Sequence, residues 1–500
     1  MKHQLICILA MVATVDTGFS QDYSTNIFDD HSDVGMCNIK GDAIFNPDKQ
    51  EYTLSGSGEN IWFGSDQFHY AWKKLKGDFI LRANIKFMGS GSHMHRKIGW
   101  MVRESLDPDA IHVSGTVHGD GLTSLQYRRN KGGETEEQKS AVVAPDVIQL
   151  ERKGNRYIFS CALAGDFFDT VSVSDILTGD EVFAGLFICS HDNDVLEQAR
   201  FFNVRIVHPA KDEFVPYHDY IGSNLEILDT ETGARKVIYQ SKGSIQAPNW
   251  TPDDRYLIYN SEGLLFRFDL KTRQTEKINT GFATSNNNDH VVSFDGKMMG
   301  ISHHVADEDN KSVIFIMPVG GGTPERITAL GPSYLHGWSP DGRYLTYTAD
   351  RNGNFDIYRI SVEKKKEVRL TDAEGLDDGP EYSPDGNYVY FNSSRTGTME
   401  IWRMKPDGSG QEQITFDDYN NWFPHISPDG KWIVFLSFPR EVKADDHPFY
   451  KQVYIRIMTP SGGEARVVAY LYGGQGTINV PSWSPDSKKI AFVSNTDILP

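Results

Sequence analysis

The chain has 500 residues, with 50 Lys and Arg against 68 Asp and Glu, so its formal net charge is −18. This excess of acid argues against a nucleic-acid-binding protein, which needs a basic surface to neutralise phosphates. An apolar content of 39% argues against a bundle of membrane-spanning helices, and 12% aromatic residues supply a core too large for a disordered chain.

The first twenty residues have the pattern of a secretory signal peptide. Residues 5–15 carry no formal charge, and Gly18 and Ser20 place small residues at positions −3 and −1 of a cleavage after Ser20. The apolar run is too short to span a membrane, and no second run of spanning length follows it. We therefore expect residues 1–20 to be removed at export and the mature protein to be periplasmic or secreted.

Three cysteines remain after that cleavage, Cys37, Cys161 and Cys189. An odd number at wide spacing does not make a disulfide framework, and the absence of a Cys-x-x-Cys pair argues against a thiolate zinc site. The sequence is compatible with one bridge, for instance between Cys161 and Cys189, and equally with buried free thiols.

Residues 22–208 contain alternating apolar and polar runs, such as 79–87 and 183–189, separated by turns rich in Gly and Asp. Alternation with a period of two predicts strands with one buried face, and many such strands predict an all-β sandwich. The region resembles the concanavalin-like, laminin-G-like jelly rolls found beside carbohydrate-active proteins. That resemblance implies sugar binding, and a rigid spacer packed on the next domain is the alternative. Residues 207–212 are predicted to form a short linker.

From about residue 220 onward, one four-residue phrase recurs. Its copies begin at Thr251, Ser293, Ser339, Ser383, Ser427 and Ser484. Their spacings are 42, 46, 44, 44 and 57 residues. The commonest form is Ser-Pro-Asp-Gly, in which Pro fixes φ and Gly accepts a positive φ, so the phrase predicts a tight turn between two strands. A period of forty-odd residues with strand-like segments around each turn is typical of β-propeller blades.

The two ends of this region together form the last blade. Residues 224–239 contain only a third and a fourth strand, and residues 478–494 only a first and a second. Together they predict one composite blade, which with five full units gives a six-bladed propeller without exposed sheet edges. The repeated phrase resembles the TolB-like propeller family, with its WD40-like PD40 repeats, over residues 212–500. This resemblance implies the fold and says little about activity, because propellers host many functions.

In a propeller, the first strand of each blade lines the central channel, and the loops before it and after the second strand open at one mouth. Several histidines, carboxylates and arginines of four neighbouring blades fall at these positions. The candidate catalytic residues are His290, His304, Tyr334, His336 and His425. The candidate substrate-binding residues are Asp289, Arg351, Asp378, Arg395, Trp422 and Arg440. A concave polar site with these residue types predicts a ligand site.

The combination of His, Tyr and Arg suits β-elimination from a uronic-acid unit of an oligosaccharide. A neutral His takes the proton beside the carboxylate, Arg or a divalent metal held by several His neutralises that carboxylate, and Tyr or His protonates the leaving oxygen. The mouth is similar in kind to that of propeller enzymes that cleave oligogalacturonate. We therefore predict an exported lyase or dehydratase that binds an oligosaccharide and acts in polysaccharide degradation. The sequence does not determine whether the leaving group is a sugar or water, so it does not separate these two activities.

Two other functions fit the same sequence. One is a non-catalytic TolB-like scaffold that binds a glycan or a protein partner. The other is hydrolysis of a glycosidic bond through Asp378 and Glu381, since hydrolysis of this kind needs two carboxyl groups. The product separates the three functions, because elimination leaves an unsaturated end, hydrolysis adds water, and a scaffold forms no product.

Overall fold

The structure, a computed structural model, describes residues 26–211, 213–215 and 218–497, so the predicted signal peptide lies outside the described residues. Within these ranges the chain consists of strands and turns, with a short 3-10 helix at Ala306–Glu308. No helix in the described part of the chain is long and apolar enough to cross a membrane. The predicted all-β class is confirmed.

Fourteen strands form two seven-stranded antiparallel sheets in the N-terminal part. They are β1 (Asp30–Val34), β2 (Asp42–Asn46), β3 (Glu51–Gly56), β4 (Phe68–Lys76), β5 (Phe79–Met88), β6 (Lys97–Arg103), β7 (His112–His118), β8 (Thr123–Arg128), β9 (Glu136–Lys139), β10 (Val147–Lys153), β11 (Arg156–Ala162), β12 (Asp169–Val173), β13 (Glu181–Cys189) and β14 (Glu197–Val207). The strand orders are β1-β4-β13-β6-β7-β8-β9 and β12-β11-β10-β5-β14-β3-β2.

The core of this part lies between the two sheets. Trp100 and Leu186 of the first sheet and Leu150 and Phe159 of the second are fully buried in one apolar cluster. Gly115 allows the close approach, because a Cβ at this position would stand 2.2 Å from the Phe159 ring. The structure thus shows two large sheets around a common core, and the concanavalin-like jelly roll stays a prediction.

Six smaller sheets follow in the chain, five of four strands and one of three. Blade 1 contains β17 (Gln246–Trp250), β18 (Tyr256–Ser261), β19 (Leu264–Asp269) and β20 (Thr275–Lys277). Blade 2 contains β21 (Asn286–Val292), β22 (Met298–Val305), β23 (Lys311–Pro318) and β24 (Glu325–Arg326). Blade 3 contains β25 (Ser333–Trp338), β26 (Tyr344–Asp350), β27 (Phe355–Ser361) and β28 (Glu367–Arg369). Blade 4 contains β29 (Asp377–Tyr382), β30 (Val389–Ser393), β31 (Glu400–Met404) and β32 (Glu412–Gln413). Blade 5 contains β33 (Asn420–Ile426), β34 (Ile433–Phe438), β35 (Lys451–Met458) and β36 (Arg466–Gly473).

The closing blade joins the two ends of the propeller. It contains β15 (Ser223–Asp229), β16 (Arg235–Ser241) and β37 (Lys489–Asn495). Strand β37 pairs with β15 over seven residues, and β15 pairs with β16. The predicted first strand of this blade is reduced to one isolated bridge between Trp483 and Ile490 in the described chain. The six-bladed propeller and its closure from both ends are confirmed.

The recurring phrase forms the turn between the first and second strands of a blade. In blade 3, Ser339 Oγ donates to Asp341 Oδ1 at 2.6 Å and accepts from the backbone N–H of Tyr344 at 2.9 Å. The same two bonds recur in blade 4 around Ser383. The hydroxyl and carboxylate thus satisfy backbone groups of the turn, which is the physical reason that these residue types recur.

Buried polar contacts join the N-terminal sheets to the propeller. Arg205 Nη2 of β14 donates to Glu226 Oε2 of β15 at 2.6 Å, and Arg235 Nη2 of β16 donates to Glu226 Oε1 at 2.8 Å. Arg82 Nη1 of β5 donates to the carbonyl of Tyr470 in blade 5 at 2.7 Å. The two parts therefore share an ionic network in addition to their linker. The domain limits 22–208 and 212–500 stay predictions.

The three cysteines of the described chain are free thiols, so the bridge that the sequence allowed between Cys161 and Cys189 does not form. Burial raises the pKa of both thiols to about 11. They are therefore protonated at neutral pH and unreactive as nucleophiles.

Candidate functional site

A cavity of about 1020 Å³ opens at one mouth of the propeller, between the first strands of the blades and the loops beside them. Its wall carries amides such as Asn288 and Asn479, and aromatic rings such as Tyr334 and Phe423. It also carries the carboxylates Glu262, Asp289, Asp378 and Asp445. A cavity of this size with converging polar groups is the usual form of a small-ligand site.

The first strand of every full blade is bulged at this mouth. The register shifts lie between Gln246 and Asn249, Asn286 and His290, Leu335 and Gly337, Asp378 and Glu381, and Trp422 and His425. Asp289, His336 and Phe423 lie inside these bulges and line the cavity. A bulge adds a residue to one strand and re-aims the local side chains, which is common beside functional sites.

His336 and Asp378 form the polar centre of the wall. His336 Nε2 lies 3.2 Å from Asp378 Oδ1, and the two residues are only 4% and 8% exposed. Thr348 Oγ1 donates to the same carboxylate oxygen at 2.7 Å, and the backbone N–H of Gly379 donates to it at 2.8 Å. Three polar partners therefore hold this buried carboxylate in one orientation, as a buried charge requires.

The charges of these groups depend on one another. Burial alone would lower the pKa of His336, but the carboxylates of Asp289 and Asp378 outweigh it and raise that pKa to about 9. Burial alone would raise the pKa of Asp378, but His336 outweighs it and lowers that pKa to about 2. Burial raises the pKa of Asp289 to about 6. Titratable groups with pKa values pushed apart in this way are typical of acid–base sites.

A fourth titratable group, His447, enters the wall from a loop. Its Nε2 lies 4.0 Å from Asp378 Oδ2, on the side of the carboxylate away from the His336 contact. Its ring packs against Trp422 at a centroid distance of 4.5 Å. Burial lowers the pKa of His447, so its imidazole is neutral at pH 7 while that of His336 is protonated.

The loop that carries His447 spans residues 439–450 and also brings Asp445 and Phe449 to the cavity. Asp445 and Phe449 were not among the predicted site residues, and His447 was placed at the mouth from the sequence but given no role. The spacing of 57 residues before the last turn phrase, against 42 to 46 elsewhere, was the available signal of this insertion.

The predicted site residues divide into two groups. Those that line the cavity are Asp289, His304, Tyr334, His336 and Asp378. Those that do not line it are His290, Arg351, Arg395, Trp422, His425 and Arg440.

The two histidines outside the cavity are held by the protein. His290 Nε2 lies 3.1 Å from the Ile258 carbonyl oxygen. His425 Nδ1 lies 2.5 Å from Glu381 Oε2, and its Nε2 contacts the carbonyl of Ile478. These bonds connect neighbouring blades, so both histidines stabilise the channel wall. Glu381, proposed from the sequence as the hydrolytic partner of Asp378 in the same strand, is held in the same network and does not line the cavity.

The three predicted arginines do not line the cavity either. Arg351 Nη2 donates to Glu367 Oε2 at 3.0 Å, and Arg395 Nη2 donates to Asp377 Oδ2 at 2.7 Å. Arg440 is exposed on the loop outside the cavity. None of these guanidinium groups is therefore in place to neutralise a carboxylate of a ligand in the cavity.

Metal binding was an option for the histidines of the mouth. In the described part of the chain, no group of three or more His, Cys, Asp or Glu side chains is placed to hold a metal ion. The histidines contact single carboxylates or backbone carbonyls instead.

Comparison with known proteins places the chain in a family. A family model described as the TolB beta propeller domain matches residues 333–447. A curated protein of Agrobacterium fabrum, itself uncharacterized, is 48% identical over 272 residues, which cover 54% of this chain and 92% of that protein. The solved structure of a protein provisionally named TolB from Agrobacterium tumefaciens is 47% identical, covers 56% of this chain and 100% of its own, and has a TM-score of 0.53.

An oligogalacturonate lyase from Vibrio parahaemolyticus is 13% identical over 54% of this chain and 77% of its own, with a TM-score of 0.35. This likeness is too low to bear on function. The identity with the Agrobacterium fabrum protein, by contrast, extends over 92% of that protein's length. The chain belongs to the TolB-like β-propeller family.

Proposed function

We propose that the mouth of the propeller cleaves a glycosidic bond of an oligosaccharide by acid–base chemistry. The observation that carries this proposal is a pair of buried carboxyl groups in one cavity with separated pKa values, about 6 for Asp289 and about 2 for Asp378. Glycosidic hydrolysis needs one carboxyl group whose raised pKa lets it carry a proton to the leaving oxygen, and a second that stays ionised.

Each group has a defined role in this proposal. Asp289 is the acid and acts in the fraction of molecules in which it is protonated, a fraction that grows as the pH falls towards its pKa of about 6. Asn287 orients it by donating from Nδ2 to Asp289 Oδ2 at 2.8 Å. Asp378 is the base or nucleophile. His336 is a positioning residue, because its positive charge keeps the neighbouring carboxylate ionised.

The wall around these groups suits a sugar. Tyr334 and Phe355 lie side by side with ring centroids 6.2 Å apart, and both line the cavity. Their flat faces can pack on pyranose rings, while the amides of Asn288 and Asn479 offer donors and acceptors to hydroxyl groups. Aromatic faces and amides together bind a hydroxylated ligand without requiring it to be charged.

β-Elimination by a lyase or dehydratase is the second candidate, and the two histidines on Asp378 favour it. Neutral His447 has the charge state of a base, and protonated His336 that of an acid or of the cation beside a substrate carboxylate. This reaction would have to proceed without the predicted arginines, which do not line the cavity.

Mass spectrometry of the products tests the proposal. The purified full chain is incubated with neutral, amino and uronic-acid oligosaccharides, and a product that has gained one water indicates hydrolysis, whereas an unsaturated end indicates elimination. We expect Asp378→Asn to slow cleavage at least ~100-fold, since general acid–base catalysis contributes about that much.

Asp309→Asn is the matched control. Asp309 is exposed outside the cavity and has a left-handed backbone conformation that Asn also accepts. The variant should therefore cleave the oligosaccharide at the wild-type rate. Ligand binding without any product from the wild type would contradict catalysis and support a non-catalytic scaffold.

A further inference from the structure

We propose that the rim of the mouth binds an ammonium group of the ligand, which makes amino-sugar oligosaccharides the preferred substrates. This inference rests on the proposed function, because it names the kind of oligosaccharide that the mouth accepts. The rim is built by two segments outside the blade repeat. The segment before the closing blade brings Tyr220, and the loop 439–450 brings Asp445 and Phe449.

The charge of the cavity favours a cation. Among the described residues that line it, four are carboxylic acids and none is Lys or Arg. His336 is protonated there, but the carboxylates of Asp289 and Asp378 already balance its charge. A concave site of one charge sign concentrates ligands of the opposite sign. A uronic-acid chain would bring further carboxylates into this acidic wall, whereas an amino sugar would bring the missing positive charge.

An aromatic face beside a carboxylate lies at the rim. Tyr220 and Phe449 meet edge to face with ring centroids 5.9 Å apart. Glu262 lines the same cavity, and burial, followed by the charge of Glu262, raises the pKa of the Tyr220 phenol. An ammonium group in this part of the cavity is attracted both by the face of an aromatic ring and by a carboxylate.

A buried acceptor beside Glu262 gives independent support. Asn286 is 5% exposed and lines the cavity, and its Nδ2 donates to the carbonyls of Gly263 and Ala283 at 2.9 and 2.8 Å. These two bonds fix its Oδ1 as an acceptor, and Oδ1 receives no hydrogen bond from the described chain. A buried acceptor without a partner is costly, and the ammonium group of a ligand that reaches Asn286 Oδ1 would supply the donor.

A hydrogen bond and ring packing join the two segments of the rim. The backbone N–H of Ile221 donates to Tyr450 Oη at 3.2 Å, which ties the segment before the closing blade to the loop 439–450. The Tyr450 ring packs edge to face on Phe214 at 4.7 Å and beside Phe449 at 5.5 Å. A preformed subsite of this kind binds its ligand without a large ordering cost.

Calorimetric titration of the full chain with four probes tests this inference. The probes are glucosamine oligomers, their N-acetylated counterparts, oligogalacturonate and a short oligolysine. We expect the glucosamine oligomer to bind about tenfold more tightly than the N-acetylated one, and the difference to shrink as salt is added. Glu262→Gln should reduce the difference to about threefold or less. Glu231→Gln, an exposed carboxylate outside the cavity, should leave it unchanged.

The outcomes separate this inference from the proposed function. Equal affinity for the two glucosamine forms, or tighter binding of oligogalacturonate, would overturn the amino-sugar class and leave glycosidic cleavage standing. If Glu262→Gln still binds the glucosamine oligomer about tenfold more tightly than the N-acetylated one, the ammonium subsite does not lie at Glu262. Tighter binding of oligolysine than of any sugar would contradict the amino-sugar class and indicate a basic peptide as the ligand of the rim. If no oligosaccharide binds or is cleaved, the proposed function fails and this inference fails with it.

Discussion

Asp378 contacts two histidines that differ in charge. His336 lies 3.2 Å from one carboxylate oxygen and is protonated at neutral pH, whereas His447 lies 4.0 Å from the other and is neutral. The difference arises because Asp289 adds a second negative charge beside His336, while burial dominates at His447. One carboxylate therefore places a proton donor and a proton acceptor in the same cavity.

We expect His336→Gln to make the stability of the fold less dependent on pH. The pKa of His336 is about 9 in the folded state, above its ordinary value of 6.5, so its stabilising contribution is complete below pH 6.5 and is lost as the pH rises through 9. A shift of this size corresponds to roughly 3 kcal/mol. Denaturant unfolding across this pH range measures the effect. A wild-type free energy of unfolding that stays constant over the range would contradict the assignment.

At the level of elements, the blades could be predicted from the sequence, but the orientation of the site residues could not. The turn phrase is a local feature, since its hydroxyl and carboxylate bond to backbone groups within five residues, as Ser339 does. The mouth depends on bulges, and a bulge breaks the two-residue alternation that assigns side chains to a face. Asp289 therefore lines the cavity while its neighbour His290 does not. Likewise, His336 in the first strand of blade 3 lines the cavity, whereas His425 in the first strand of blade 5 does not.

The turn chemistry makes a prediction for a single blade. Ser383→Ala should lower the free energy of unfolding by about 1–2 kcal/mol, because the Tyr388 backbone N–H loses its acceptor and Asp385 loses its donor. Ser383→Thr is the control, because blade 1 uses Thr251 for the same bonds. Thermal or denaturant unfolding of the two variants measures the difference. Equal stability of the two variants would show that the hydroxyl does not hold the turn.

Across the whole molecule, the propeller closes next to the N-terminal sheets. Strand β15 pairs with β37 to close the ring, and its Glu226 also receives Arg205 from the last strand of the N-terminal part. The sequence predicted two parts and a linker, but not this network. In a strand with alternating pattern, an arginine is predicted to face solvent. Arg205 is instead only 3% exposed, because the propeller packs against the strand that carries it.

Glu226→Gln should destabilise the protein by about 3–5 kcal/mol, because it leaves Arg205 and Arg235 buried without a counter-charge. Burial opposes ionisation of Glu226, but the two arginines outweigh it and lower its pKa to about 2, so its contribution is present at neutral pH and is lost as the pH falls through that value. Glu276→Gln, in the more exposed pair with Arg267, should cost less than about 1 kcal/mol. Equal losses in the two variants would contradict the role of the network.

The most direct test of the acid–base site is the pKa of His336 in the full chain, which requires no ligand. NMR titration of protein with isotope-labelled histidine, with assignments from His336→Gln and His447→Gln, follows both rings. The arrangement around Asp378 predicts that His336 titrates near 9 and that His447 titrates below the ordinary value of 6.5. A His336 that titrates at or below 6.5 would contradict the acid–base site.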